Sequence, residues 1–150
     1  MNVEFWKNRN VFITGHTGFK GGWISHWLSK MGANVFGYSL APPSEINFFE
    51  LTRLKEKLSE SSIDNILDLK TLSQAMKNAN PSVVIHMAAQ PLVRASYDIP
   101  IETFKTNIIG TANILEAAKN IKDLRAIINS TTDKCYENYE KLTPYVETDR

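Results

Sequence analysis

Cysteine is almost missing from the chain. Cys135 is the one thiol in 150 residues, which rules out an intrachain disulfide and a structural zinc site built from several thiolates, and suits a reducing compartment. Histidine is scarce too, and His16, His26 and His86 are too scattered to suggest a metal centre, so no metal is expected. There is no excess of one charge: 17 Lys and Arg against 16 Asp and Glu leave a formal net charge of +1, which gives no field to draw nucleic acid or an anionic membrane. No apolar run approaches the roughly 18 residues of a membrane span. The opening "MNVEFWKNRN" also lacks the apolar stretch of a signal peptide. The expectation is a soluble, cytoplasmic protein, with residues 1–150 forming one domain.

What the chain does have is rhythm. Short apolar runs of strand length alternate with longer segments of helical period, the signature of an α/β fold with a doubly wound parallel sheet. "NVFIT" reads as the first strand. The helix after it carries Trp23, Ile24, Trp27, Leu28 and Met31 on one face and stops at Gly32. "ANVFGYS" is the second strand, "APPSEINFFE" a loop, and "LTRLKEKLSE" a short helix with Leu51, Leu54 and Leu58 inward. "SIDNILD" is a weak third strand and "LKTLSQAMKNAN" a helix ended before Pro81. "SVVIHMAA" is the fourth strand and "PLVRASYDIP" a loop. A long helix then places Ile101, Phe104, Ile108, Ile109, Thr111, Ala112, Leu115 and Ala118 at helical spacing, and "LRAIINST" is the fifth strand.

Between the first strand and first helix stands "TGHTGFKGG". Gly15, Gly18 and Gly21 have the spacing G-x-x-G-x-x-G, which serves a tight turn, close approach of backbone N–H groups to a diphosphate, and close packing of helix on strand. A helix N-terminus there is an anion site without any basic side chain. The loop residues Gly15, His16, Thr17, Gly18, Phe19 and Gly21 are therefore the candidate dinucleotide cradle. The second strand ends in "GYSLAPP" and no Lys or Arg occurs from Met31 to Thr52, so a 2′-phosphate would find no cation there. NAD is expected over NADP, with Ser39 or backbone groups on the ribose. Lys20 is the one basic group that could change this reading. Arg94 follows "QPLV" in the segment after the fourth strand, at the end of the sheet where α/β proteins bind ligands, and is the candidate substrate contact. His86 reads as a packed core residue, and Trp23 and Trp27 as core packing.

"TGHTGFKGGW", "HMAAQPLVRASY", "ETFKTNIIGT" and "STTDKCYEN", in that order and spacing, resemble the extended short-chain dehydrogenase/reductase (NAD-dependent epimerase/dehydratase) family, and within it the 4,6-dehydratases that act on CDP-glucose. The resemblance runs from about Phe5 to Glu147. It implies a Rossmann-like sheet, NAD as cofactor, a nucleotide-sugar substrate such as CDP-glucose, and conversion to the 4-keto-6-deoxy sugar with loss of water, as in O-antigen biosynthesis. It also implies that Asp68 and Leu69 lie at the adenine, that Ala88, Ala89 and Gln90 line the cofactor, and that Asn107 sits near the nicotinamide. Thr132 would hydrogen-bond the sugar 4-hydroxyl, Asp133 would protonate the departing C6 hydroxyl, and Lys134 would stand where relatives place the base for the C5 proton. Dehydration beside a ketone does need an acid and a base on one substrate.

The family's Tyr-x-x-x-Lys pair is missing: Tyr38, Tyr97, Tyr136, Tyr139 and Tyr145 are followed at that spacing by Pro42, Ile101, Glu140, Thr143 and Asp149. The family places it just beyond "TPYVETDR", ahead of further strands and a substrate domain. The chain thus reads as the cofactor-binding portion, inactive alone. Its fifth strand edge and the helix from Ile101 are expected to drive homo-oligomerisation. Two alternatives stay open: an NAD-binding module without catalysis, and a nucleotide-sugar 4-epimerase or reductase.

Overall fold

The computed structural model describes residues 2–132 and 134–150. A short helix α1 (Val3–Trp6) leads into β1 (Asn10–Thr14), α2 (Phe19–Lys30) and β2 (Asn34–Ser39). A single turn α3 (Phe48–Leu51) and a 3₁₀ turn (Leu54–Lys57) precede β3 (Glu60–Ile63), α4 (Leu69–Ala79) and β4 (Val83–His86). Then come α5 (Val93–Asp98), α6 (Pro100–Phe104), a π-helical turn (Lys105–Ile109), α7 (Gly110–Ala118) and β5 (Ala126–Asn129). All strand pairs are parallel, in the order β3-β2-β1-β4-β5. This is the Rossmann-like arrangement, with the order reversing between β1 and β4.

The central position of β1 follows from its composition. Val11, Phe12, Ile13 and Thr14 are all buried, as a strand covered on both faces requires. Phe12 joins Tyr38, Val84, Leu72, Met76, Ile114 and Ala117 in the core under α4 and α7. Val11 and Ile13 face the other way, toward Leu28, Val35, Val83 and Ile85 under α2. In α4 the cap is Asp68, whose carboxylate accepts from the N–H groups of Lys70 and Thr71, and Leu72, Met76 and Ala79 at helical spacing form its buried stripe. Asn80, with φ 38°, ends it in the left-handed region just before Pro81.

Several expectations need correction. The third strand is Glu60–Ile63, not the segment from Ser62 to Asp68. It is an edge strand of mostly polar residues, while Ile66, which suggested a strand, packs into the core from a loop. The supposed loop "PLVRASYDIP" contains α5, and the short helix at 51–60 is a 3₁₀ turn with Leu54 buried and Leu51 exposed. Trp23 and Trp27 are not core residues: they are 51% and 54% exposed. The buried face of α2 is Gly21, Gly22, Ser25 and Leu28: the glycine turn holds the first turns so near the sheet that only small side chains fit there, and Leu28 enters the core further along the helix. Trp23 instead stacks on Phe48, ring centres 4.4 Å apart.

The long helix makes the same point. Its sheet-facing residues are Gly110, Ile114, Ala117 and Ala118, while Ile101, Phe104, Ile108, Ile109 and Leu115 are exposed. The π turn inserts an extra residue per turn, so no single 3.6 period runs through the whole segment. Among the described residues no helix is long and apolar enough to cross a membrane. Leu72→Ala, which empties a fully buried position between α4 and the sheet, is expected to lower the unfolding free energy in urea by about 2–5 kcal/mol. Trp27→Ala on the outer face of α2 is expected to change it by about 1 kcal/mol or less.

Candidate functional site

The glycine turn closes β1 and opens α2. Gly15 has φ 78° and donates its N–H to the Tyr38 carbonyl at 2.9 Å. A Cβ there would lie 2.9 Å from the Ala88 nitrogen and the Met87 carbonyl carbon. Gly21 is tighter still: its Cβ would stand 2.1 Å from the Gly15 carbonyl oxygen. These two glycines fold the turn under the first turn of α2, and the Gly18 N–H closes it on the Gly15 carbonyl at 3.0 Å. Gly18 is the N-cap of α2 and no side chain caps the helix. Its first-turn N–H groups are thus available at the positive end of a 12-residue helix.

Around this cradle, Thr17 donates its hydroxyl to the Leu40 carbonyl at 2.8 Å. With that hydrogen used, Ser39 donates to Thr17 Oγ1 at 2.8 Å, which ties the end of β2 to the turn. Both side chains are buried. Phe19 and Lys20 are exposed on the first turn of α2. His16 points inward: its ring is fully buried against Gly37, where a Cβ would lie 2.5 Å from the imidazole. Its Nε2 pairs with Ser61 Oγ at 2.8 Å and Phe49 meets the ring edge-on. The side chain is therefore turned away from any ligand in the turn, and only its backbone can take part. Burial, partly offset by the Tyr38 backbone, lowers its pKa to about 4.

At the tip of β4, the Met87 and Ala88 N–H groups both lie 3.1 Å from Thr14 Oγ1. Ala88 is half-buried and Ala89 exposed. Asn107, in the π turn, brackets the Gln90 backbone by accepting from its N–H at 2.8 Å and donating to its carbonyl at 3.1 Å. The Gln90 side chain reaches Thr103 at 2.9 Å. Asp68 is exposed and caps α4, with its pKa held down by the Thr71 hydroxyl and by the Thr71 and Lys70 N–H groups, and Leu69 beside it is exposed. The Arg94 side chain stands exposed on α5 with no hydrogen bond or ion pair among the described residues. Thr132 accepts the Lys134 N–H at 3.1 Å in the exposed segment after β5. Asp133 lies outside the described residues. Among the described residues no group of three His, Cys, Asp or Glu is placed to hold a metal.

The structure thus gathers Gly15, Thr17, Gly18, Ser39 and Ala88 at the carboxyl tips of β1, β2 and β4, while Asp68, Asn107 and Thr132 flank the same end of the sheet on separate segments. Sequence reasoning missed Ser61 and Thr14 as supports. Ser61 gave no signal, whereas Thr14 closes an otherwise apolar run directly before Gly15.

Sheet order and turn together define a Rossmann-like α/β protein with an uncapped helix N-terminus at the point where the strand order reverses. The model of the GDP-mannose 4,6-dehydratase family matches residues 12–150, and the chain belongs to that family. It is 48% identical over 149 residues to the CDP-glucose 4,6-dehydratase of Salmonella typhimurium, covering 99% of this chain and 41% of that protein. It is 32% identical to a UDP-glucuronate 4-epimerase of Thermodesulfobacterium geofontis, covering 80% of this chain and 38% of the relative. The chain therefore spans about two fifths of the length of these curated relatives. A UDP-glucose 4-epimerase of Stenotrophomonas, solved with NAD and a formylated UDP-arabinopyranose, shares the fold with a TM-score of 0.77 at 24% identity, over 94% of this chain and 42% of that one.

The buried His16 makes stability depend on pH. The unfolded chain takes up a proton below about 6.5 and the folded one only near 4, so folding loses about 3 kcal/mol as pH falls through that window. Urea unfolding of wild type and His16→Gln from pH 7 to 4 is expected to show the steeper acid loss in wild type. Parallel pH profiles would contradict it.

Proposed function

We propose that this chain carries the NAD-binding part of a nucleotide-sugar 4,6-dehydratase, with CDP-glucose as substrate. The observation that carries the reading is the turn itself: Gly15 and Gly21 are required by contacts within the protein, but Gly18 is not. A Cβ on Gly18 would press on the Gly15 carbonyl oxygen at 3.3 Å and meet no other atom within 4 Å, so apart from that one close contact the space over Gly18 is left for a ligand. The likeness to the Salmonella dehydratase across 99% of the chain supports the substrate and the reaction. NAD fits better than NADP because no Lys or Arg occurs from Met31 to Thr52. A protein of the same fold that holds NAD supports this as well.

In this reading the N–H groups of Phe19, Lys20 and Gly21 in the uncapped first turn of α2 bind the diphosphate, Ser39 and nearby backbone face the adenine ribose, and Asp68 and Leu69 flank the adenine. Ala88, Ala89 and Gln90 form the floor toward the nicotinamide, with Asn107 fixing Gln90. A dinucleotide held there would supply a hydride acceptor for the sugar C4 and a hydride donor for C6. Thr132 hydrogen-bonds the 4-hydroxyl, Asp133 gives a proton to the leaving C6 hydroxyl so that it departs as water, Lys134 takes the C5 proton, and Arg94 approaches the substrate. The sequence has no Tyr-x-x-x-Lys pair, so the base for the 4-hydroxyl proton is not supplied by these residues, and we assign this chain binding without turnover on its own. Self-association through the exposed apolar residues Ile101, Phe104, Ile108 and Leu115 belongs to the same reading, with a sedimentation coefficient that rises with concentration as its sign.

Calorimetric titration is expected to show NAD binding more tightly than NADP. Gly18→Ala is expected to leave the unfolding transition within about 1 kcal/mol of wild type while weakening NAD at least about tenfold. Equal affinity of wild type and Gly18→Ala would count against a diphosphate in the turn, and turnover of CDP-glucose by this chain would refute binding without catalysis.

A further inference from the structure

His86 sits at the end of β4, 2% exposed, between two threonines from different elements. Its Nδ1 lies 2.6 Å from Thr14 Oγ1 at the end of β1, and its Nε2 lies 3.1 Å from Thr111 Oγ1 on α7. Hydrogens alone fix the direction of this chain. Thr111 spends its only hydroxyl hydrogen on the Asn107 carbonyl at 2.7 Å, so at Nε2 it can only accept. Thr14 Oγ1 already receives the Ala88 N–H and, shared with the Thr14 carbonyl at 3.3 Å, the Met87 N–H, which leaves its own hydrogen to give. The opposite tautomer would ask Thr14 to accept three donors, strand its hydrogen in a fully buried place, and leave Nε2 facing an oxygen with no hydrogen to offer.

We infer that His86 is held as the neutral Nε2–H tautomer and acts as a positioning residue, locking the β4 tip that carries Ala88 to the π turn that carries Asn107. The order of donation is Thr14 O–H to Nδ1, Nε2–H to Thr111, and Thr111 O–H to the Asn107 carbonyl. Asn107 in turn brackets Gln90. The relay therefore sets the spacing between the two segments that form the floor of the proposed nicotinamide position, and in this respect it rests on the NAD reading above. Thr14 ties the near end of the relay to the glycine turn, whereas Thr111 and Asn107 at its far end make no hydrogen bond to that turn or to Asp68 among the described residues, so a change at Thr111 acts on the nicotinamide end of the dinucleotide first.

Long-range ¹H–¹⁵N correlation spectra of the ¹⁵N-histidine-labelled chain at neutral pH are expected to show His86 with a pyrrole-like Nε2 and a pyridine-like Nδ1. Thr111→Val, close to isosteric and half-buried, removes the acceptor at Nε2 and is expected to move the Nε2–H signal, while Nδ1, still receiving the Thr14 hydrogen, stays pyridine-like. Thr111→Ser keeps the hydroxyl and is expected to restore the wild-type signal. In calorimetry Thr111→Val is expected to weaken NAD about tenfold and ADP-ribose, which lacks the nicotinamide end, by less than about twofold. A merely structural effect would weaken both alike. An Nδ1–H tautomer in wild type, or equal losses for NAD and ADP-ribose, would overturn the inference. Failure of wild type to bind either ligand would overturn the cofactor reading and the positioning role with it, while the tautomer spectrum still decides the direction of the relay.

Discussion

The contact on which the rest depends is the one between the Gly21 α-carbon and the Gly15 carbonyl. Because nothing larger than hydrogen fits there, α2 begins against the turn and lies close over the sheet. That closeness selects Gly22 and Ser25 for its inner face and sends Trp23 and Trp27 outward. It also leaves the helix N-terminus uncapped at the carboxyl tips of β1 and β4. One steric constraint thereby sets the packing of a whole layer and the electrostatics of the site.

A second set of constraints holds the strand tips around that turn, and it is polar. Thr17 joins the turn to Ser39 and Leu40 at the end of β2, His16 joins it to Ser61 on β3, and Thr14 joins it to β4 through the Met87 and Ala88 N–H groups. Each of these groups is buried or nearly so, and each would be costly if its partner were lost. The exception is His16 Nδ1, which is buried without a partner. Parallel strands end here in a net of hydroxyl and imidazole groups that takes up the Met87 and Ala88 N–H groups and holds the sheet tip, while the first-turn N–H groups of α2 stay uncapped.

The sequence revealed the strong periodic elements best. β1 falls where "NVFIT" places it, and β4 is recognisable from its unbroken apolar run, since both are central strands buried on two faces. The glycine turn was legible because three unrelated demands converge on one residue type there. Edge strand β3 was not, because Glu60, Ser61 and Ser62 carry no burial pattern and Ser61 is chosen by a partner 45 residues away. Nor could the inner face of the long helix be read: both faces are apolar, and small residues at Gly110, Ala117 and Ala118 decide which one meets the sheet. The role of His86 was half visible, as burial without its two threonine partners.

The central claim is that the backbone between Gly15 and Gly21 grips a diphosphate. Amide chemical-shift mapping during an NAD titration tests it most directly. The account predicts that the largest shifts fall on Gly18, Phe19, Lys20 and Gly21, with smaller ones at Ser39 and Ala88. Saturable binding whose shifts leave these amides unmoved, or no shift at millimolar NAD, would contradict it.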